Sequence, residues 1–168
     1  DNKVVQTLAR ALVQAGYLCW RPNFRGVGAS AGAHDAGRGE TDDATFVWLP
    51  ERRVLISGDF VIWVFPNAGN PRKVQRYAPD WAAALRRMQA LKPAALVPGH
   101  GPVVFGEDRV ARLLDEGAAA LESLVSQTLD QLNAGRSLDA ILQSVSAPAE
   151  LLAKPYLRPK YDDPEFVV

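Results

Sequence analysis

The chain has a single cysteine, Cys19, so no internal disulfide framework holds it together, and a lone thiol suits a reducing compartment. It has no excess of charge, because nineteen basic residues balance nineteen acidic ones. A nucleic-acid-binding face normally needs a basic surplus, so that partner is not expected. No uninterrupted apolar run approaches the ~20 residues of a membrane span, so no membrane partner is expected either. No secretory signal is visible after Asp1, and the expectation is a cytoplasmic protein. Histidine is scarce too: His34 and His100 are the whole supply. What remains is ordinary for a globular domain with a real core. The chain has 168 residues, 48% of them hydrophobic and 23% charged.

Periodicity divides the chain. Residues 3–15 place Val4, Val5, Leu8, Leu12 and Val13 on one helical face, and Gly16 is a natural stop. Tyr17 to Trp20 reads as a short buried strand. The run RPNFRGVGASAGAHDAGRGE that follows is a long Gly- and Ala-rich loop, a form usually functional or mobile inside a compact domain. Ala44–Leu49, the turn Pro50-Glu51-Arg52 and Arg53–Ser57 read as a β-hairpin. Residues 67–71 are loop by composition. A helix is predicted over Asp80–Leu91, a short buried strand over Ala94–Val97 and a long amphipathic helix over 107–133. That last helix carries Val110, Leu113, Leu114, Ala118, Leu121, Val125, Leu129 and Leu132 in phase and ends at Gly135. Ser137 is placed to cap a helix over Leu138–Val145, and a short helix follows at Ala149–Ala153. The tail from Lys154 has three prolines and is expected to pack as extended chain.

Three metal-binding residue types stand where a strand-like run meets a turn: Glu40, Asp59 and His100. Loops at strand ends are where rigid scaffolds display reactive groups. Carboxylate plus imidazole is a ligand set for Zn2+ or another divalent transition metal such as Mn2+ or Fe2+. His34, beside Asp35 and six residues before Glu40, can add a donor. Arg72, Lys73 and Arg76 can steady an oxyanion, and Asn67 can donate a hydrogen bond to it. Each has a plainer alternative. Asp59 also suits a turn, Glu40 a solvated position beside Asp42 and Asp43, His34 a free loop, and the three cations an open surface. Gly28-Ala29-Ser30-Ala31-Gly32 matches G-x-S-x-G in form. The residues after it lack the helical period that a nucleophile elbow requires, so Ser30 reads as part of a turn.

Two resemblances follow from these runs. Asn23, Phe24, Arg25, Gly26, Val27, Gly28, Ser30 and Gly32 make the first 40 or so residues similar to an early segment of the α/β-hydrolase family. That segment does not include the family's nucleophile or histidine. From Gly39 onward the chain resembles the metallo-β-lactamase superfamily, in its alkylsulfatase-like branch. The motifs are Gly39-Glu40-Thr41, Ser57-Gly58-Asp59 and Pro98-Gly99-His100-Gly101, supported by residues 66–77 and the tail. The superfamily's H-x-H-x-D-H signature is absent from this sequence.

The resemblances together imply a fusion with an α/β fold. It would be a truncated metallo-β-lactamase-like half-sandwich with an N-terminal helix–strand unit (1–38), a half domain (39–105) and a helical C-terminal region (106–168). They imply a metal-dependent hydrolase of phosphate or sulfate esters, using a metal-bound hydroxide held by Glu40, Asp59 and His100. In that reading Asp59 and His100 are catalytic, His34 is a further metal donor, and Arg72, Arg76 and Asn67 bind the small-molecule ester. A half-fold leaves an apolar face, so a homodimer or higher oligomer is expected, with helix 107–133 as the contact. The alternative is a non-catalytic chimera that binds metal or only self-associates.

Overall fold

The structure is a computed structural model that describes residues 14, 18–20, 44–69 and 76–168. Apart from residue 14, which is helical, the helix expected over 3–15 and the long loop up to residue 43 lie outside the described residues. So do Ser30, His34, Glu40, Arg72 and Lys73.

Among the described residues one mixed sheet has strand order β1-β2-β3-β4-β5. The strands are β1 (Leu18–Trp20), β2 (Phe46–Leu49), β3 (Val54–Gly58), β4 (Ala95–Pro98) and β5 (Val104–Phe105). The expected hairpin is β2–β3, antiparallel with Trp48 opposite Leu55. Its turn is a 3-10 helix over Pro50–Arg52, closed by Arg53 in the left-handed region at φ 50°. The next pair, β3 with β4, is parallel, and all the others are antiparallel. Parallel neighbours need a long crossover. Residues 59–94 supply it, including helix α1 (Ala78–Ala90).

Helix α1 begins two residues before the expected Asp80. Pro79 sits in its first turn, where a missing N–H costs nothing. Helix α2 (Glu107–Asn133) has the predicted limits. It stops in a Schellman arrangement: Gly135 takes φ +71°, its N–H donates to the Leu132 carbonyl, and the Arg136 N–H donates to the Gln131 carbonyl. Ser137 caps α3 (Leu138–Ser144) by accepting from the Ala140 N–H at 3.4 Å. Helix α4 covers Ala149–Leu152.

The core lies between one sheet face and the α1–α2 pair. Alternation along β2, β3 and β4 turns Trp48, Leu55 and Leu96 to that face, in mutual register. Trp81, Leu85 and Met88 of α1 meet them, with Val110, Leu114, Ala118, Leu121 and Leu124 of α2 in the same apolar cluster. Phe60 joins sheet to helix. Its ring stands edge-on to Trp81 at 6.3 Å, and its carbonyl accepts the Trp81 indole N–H at 3.1 Å. Gly117 lets the helices approach closely, since a Cβ there would lie 3.3 Å from Leu85 Cδ1. Arg86 then bridges from α1 to both Asp115 and Glu122 of α2. Those carboxylates hold the Arg86 guanidinium above its ordinary pKa, with Glu122 the larger cause.

The structure corrects one expectation, that of the tail, and adds two features. The apolar phase of α2 persists to Leu132, but burial does not: Leu129 is 52% and Leu132 54% exposed. Val125 still packs against the core cluster, so the change to exposure falls between Val125 and Leu129. The tail is not simply extended, because Pro164–Val167 forms a 3-10 turn capped by the Asp163 side chain. Strand β5, only two residues long, has too little alternation to show in the sequence. Among the described residues no helix is long and apolar enough to cross a membrane.

These differences in burial predict unequal responses. Leu121→Ala is expected to cost about 2–5 kcal/mol in urea unfolding. In the monomeric chain, Leu129→Ala should stay within about 0.5 kcal/mol of the parent. Equal losses at the two sites would contradict the placement of the core.

Candidate functional site

Parallel pairing brings the C-terminal ends of β3 and β4 to the same sheet edge. Ile56 pairs with Val97, and Gly58 with Pro98, so one extra β3 residue forms a bulge. A bulge bends its strand and re-aims the next side chains. Gly58, at φ +54°, completes the turn that carries Asp59 out of the strand. On the neighbouring strand Pro98 and Gly99 carry His100 out beside it.

The two strand-end loops are bonded to each other. The Gly99 N–H donates to the Gly58 carbonyl at 2.8 Å and to the Val61 carbonyl at 3.1 Å. A side chain at Gly99 has no room: its Cβ would lie 2.1 Å from Asp59 Oδ1 and 2.8 Å from the Gly58 carbonyl carbon. Close backbone approach is the physical reason for glycine here. It leaves His100 Nε2 3.5 Å from Asp59 Oδ1, with the side chains 70% and 48% exposed. That separation is longer than an ordinary N–H···O bond.

Both groups line a cleft of about 600 Å³. Ile62 and Val64 contribute apolar wall, and Asn67, Arg76, Lys160 and Tyr161 contribute polar groups. Asn67 is only 6% exposed, and its side-chain carbonyl oxygen has no partner among the described residues. Its backbone carbonyl accepts from Arg76 Nη1 at 3.2 Å. Arg76 is therefore half-buried at the cleft and not on an open surface. Lys160 and Tyr161 were missed from sequence because an extended tail gives no reason to return to the sheet edge.

Of the predicted site residues, the structure brings together Asp59, His100, Asn67 and Arg76. Among the described residues no three His, Cys, Asp or Glu side chains converge as a metal cluster. Glu40, His34 and Arg72 lie outside them.

Comparison with known proteins bears on this geometry. No family model matches the chain. A linear primary-alkylsulfatase of Pseudomonas sp. is 31% identical over 125 residues, 73% of this chain and 24% of that protein. The structure of the stereoselective inverting sec-alkylsulfatase Pisa1 from Pseudomonas sp. superposes with a TM-score of 0.68 at 27% identity, covering 77% of this chain and 21% of that one. The C-terminal portion of this chain is a piece of the metallo-β-lactamase fold. A β-lactamase-like protein 2 homolog of Caenorhabditis elegans is 33% identical over 78 residues, 46% of this chain and 23% of that protein. The chain thus spans about a quarter of the length of these curated relatives. In this piece of the fold the strand-end loops of β3 and β4 are in direct backbone contact beside the cleft.

Gly99→Ala should therefore disturb both loops at once. The expected loss is about 1–3 kcal/mol of stability, with amide shifts in an NMR spectrum spreading from residue 99 to Gly58 and Val61. Shifts confined to residues next to 99 would contradict the close approach.

Proposed function

We propose that the cleft belongs to a metal-dependent hydrolase of sulfate or phosphate esters, with Asp59 and His100 as two of the metal's ligands. The observation that carries this reading is the fixed pairing of a carboxylate oxygen and an imidazole nitrogen 3.5 Å apart in an open, cation-flanked cleft. With metal–ligand bonds of about 2.1 Å, neighbouring ligands of a tetrahedral zinc stand about 3.4 Å apart. The two groups fit one edge of such a site, and hard oxygen with imidazole nitrogen fits Zn2+, Mn2+ or Fe2+. A catalytic zinc takes about three protein ligands. In this reading Glu40 and His34 supply the rest. The alkylsulfatase relatives support the ester class.

A bound divalent ion would lower the pKa of water to about 7 and polarise an ester oxygen. The chain's own residues do the remainder. Oδ1 of Asp59 faces His100, which leaves the other carboxylate oxygen to accept the proton of the attacking water. Arg76 and Lys160 neutralise the anionic ester, and Arg72 joins them in this reading. Asn67 holds one of its oxygens through the side-chain amide. The leaving alcohol lies along Ile62 and Val64. The α/β-hydrolase resemblance of residues 1–40 is part of this reading. A crystal structure in which residues 21–43 continue the metallo-β-lactamase fold would remove it.

Purified protein is expected to hold stoichiometric divalent metal by elemental analysis. His100→Ala should lower ester hydrolysis by more than about 100-fold, since even groups that only support a ligand are worth 10–100-fold. Metal-free protein would leave the non-catalytic alternative standing, and a His100→Ala variant of unchanged activity would show that the assigned site is wrong.

We also propose that a second copy of the chain covers the exposed end of α2 and the start of α3, where Leu129, Leu132 and Leu138 are 52%, 54% and 65% exposed. Light scattering should report a dimer that Leu132→Asp converts to monomer. A monomeric parent chain would sink this part.

A further inference from the structure

Trp63 stands out on the segment between Asp59 and Asn67. Its φ is +61°, a left-handed backbone that bulky side chains rarely adopt. Such strain persists only where the surroundings over-determine it, and it gathers at functional sites. Trp63 is half-buried and packs against the edge of the core. Its neighbours Ile62 and Val64 line the cleft, while Trp63 does not.

Trp63 instead backs onto the residue that follows His100. Gly101 takes φ +96°, and a Cβ on it would lie 2.6 Å from Trp63 Cβ and 2.8 Å from Trp63 Cγ. The indole also meets the Tyr156 ring, with centroids 5.7 Å apart and planes tilted by 58°. The Tyr156 hydroxyl donates to Glu116 of α2. Burial, and then Glu116, hold that hydroxyl above the ordinary tyrosine pKa, so it remains a donor. Lys154 Nζ lies 3.2 Å from the other Glu116 oxygen, and the Glu116 side chain is only 16% exposed. A continuous line of contacts therefore runs from α2 through Glu116, Tyr156 and Trp63 to Gly101.

We infer that Trp63 is a positioning residue for His100, a strut that transmits the fixed position of α2 to the imidazole and sets its distance from Asp59. The inference rests on the reading of His100 as a metal ligand. The strained backbone presents the indole to both Gly101 and Tyr156. The absent side chain at position 101 is the seat that receives it. A ring at position 63 is required, and a small residue leaves the His100 loop without support on that side.

The test is Co2+ binding to the full chain freed of metal, followed by visible absorption, with urea unfolding run in parallel. Trp63→Ala is expected to weaken Co2+ binding about 10–100-fold, the range for groups that orient a ligand, and to shift the visible bands. Trp63→Phe, which keeps a ring, should restore binding to within about 3-fold of the parent, well inside that range. Tyr156→Phe keeps the ring contact and loses the bond to Glu116, and should weaken binding measurably while remaining folded. A folded Trp63→Ala variant with parental affinity and spectrum overturns the inference. If that variant does not fold, Tyr156→Phe decides, and unchanged Co2+ affinity overturns it. A parent chain that takes up no Co2+ overturns the ligand reading and this inference together. Parental binding with indifferent variants overturns this inference alone.

Discussion

The parallel pairing of β3 with β4 is the constraint on which the rest depends. It sets the ends of two strands, about forty residues apart in sequence, side by side at one edge of the sheet. Antiparallel neighbours would put those ends on opposite edges, and Asp59 and His100 would never meet. The pairing is costly to form, since a long crossover must close before it is rewarded. The crossover is itself useful: it contains Ile62, Val64 and Asn67 at the cleft and then α1, which seals the sheet. The β3 bulge and the Gly58 and Gly99 backbones complete the arrangement by bringing two loops into direct hydrogen-bonded contact.

Stability and site geometry are separated in space but not independent. The apolar cluster between the sheet and the α1–α2 pair gives the rigid platform, and dense packing makes its position well defined. The strand-end loops project from it with largely exposed polar groups, as a cleft for a charged ligand requires. Phe60 ties the two regions together. It follows Asp59 directly and is buried against Trp81, so the first residue after the candidate ligand is anchored in the core. On the His100 side, Gly101 meets Trp63 and, through it, Tyr156 and α2.

Much of this was legible in order along the chain. The β2–β3 hairpin follows from two apolar runs and a Pro-Glu-Arg turn. Helix α2 follows from its unbroken 3.6-residue period, and its end from Gly135. Ser137 announced α3. Asp59 and His100 stood out because each follows a strand run and is flanked by glycine. Other features had no local signal. Two-residue β5 is too short for alternation, and the turn at Pro164 hides in a proline-rich tail. Lys160 and Tyr161 reach the cleft only because the chain folds back, which neighbouring residues do not encode. The periodicity of α2 did not say where its burial ends, since a phase marks a face that can be covered and not what covers it.

From the sequence by itself came the elements, the residue types able to bind a metal, and the glycines that free their loops. These are short-range properties, set by side-chain period, backbone sterics and turn chemistry within a few residues. Only the tertiary structure decided that β3 and β4 run parallel, that Asp59 faces His100 across 3.5 Å, and that Arg76 and Lys160 share their cleft. Those outcomes depend on which strands pair and in what register, and that is settled by burying one sheet face against two helices, a long-range balance of packing that no local run of residues contains.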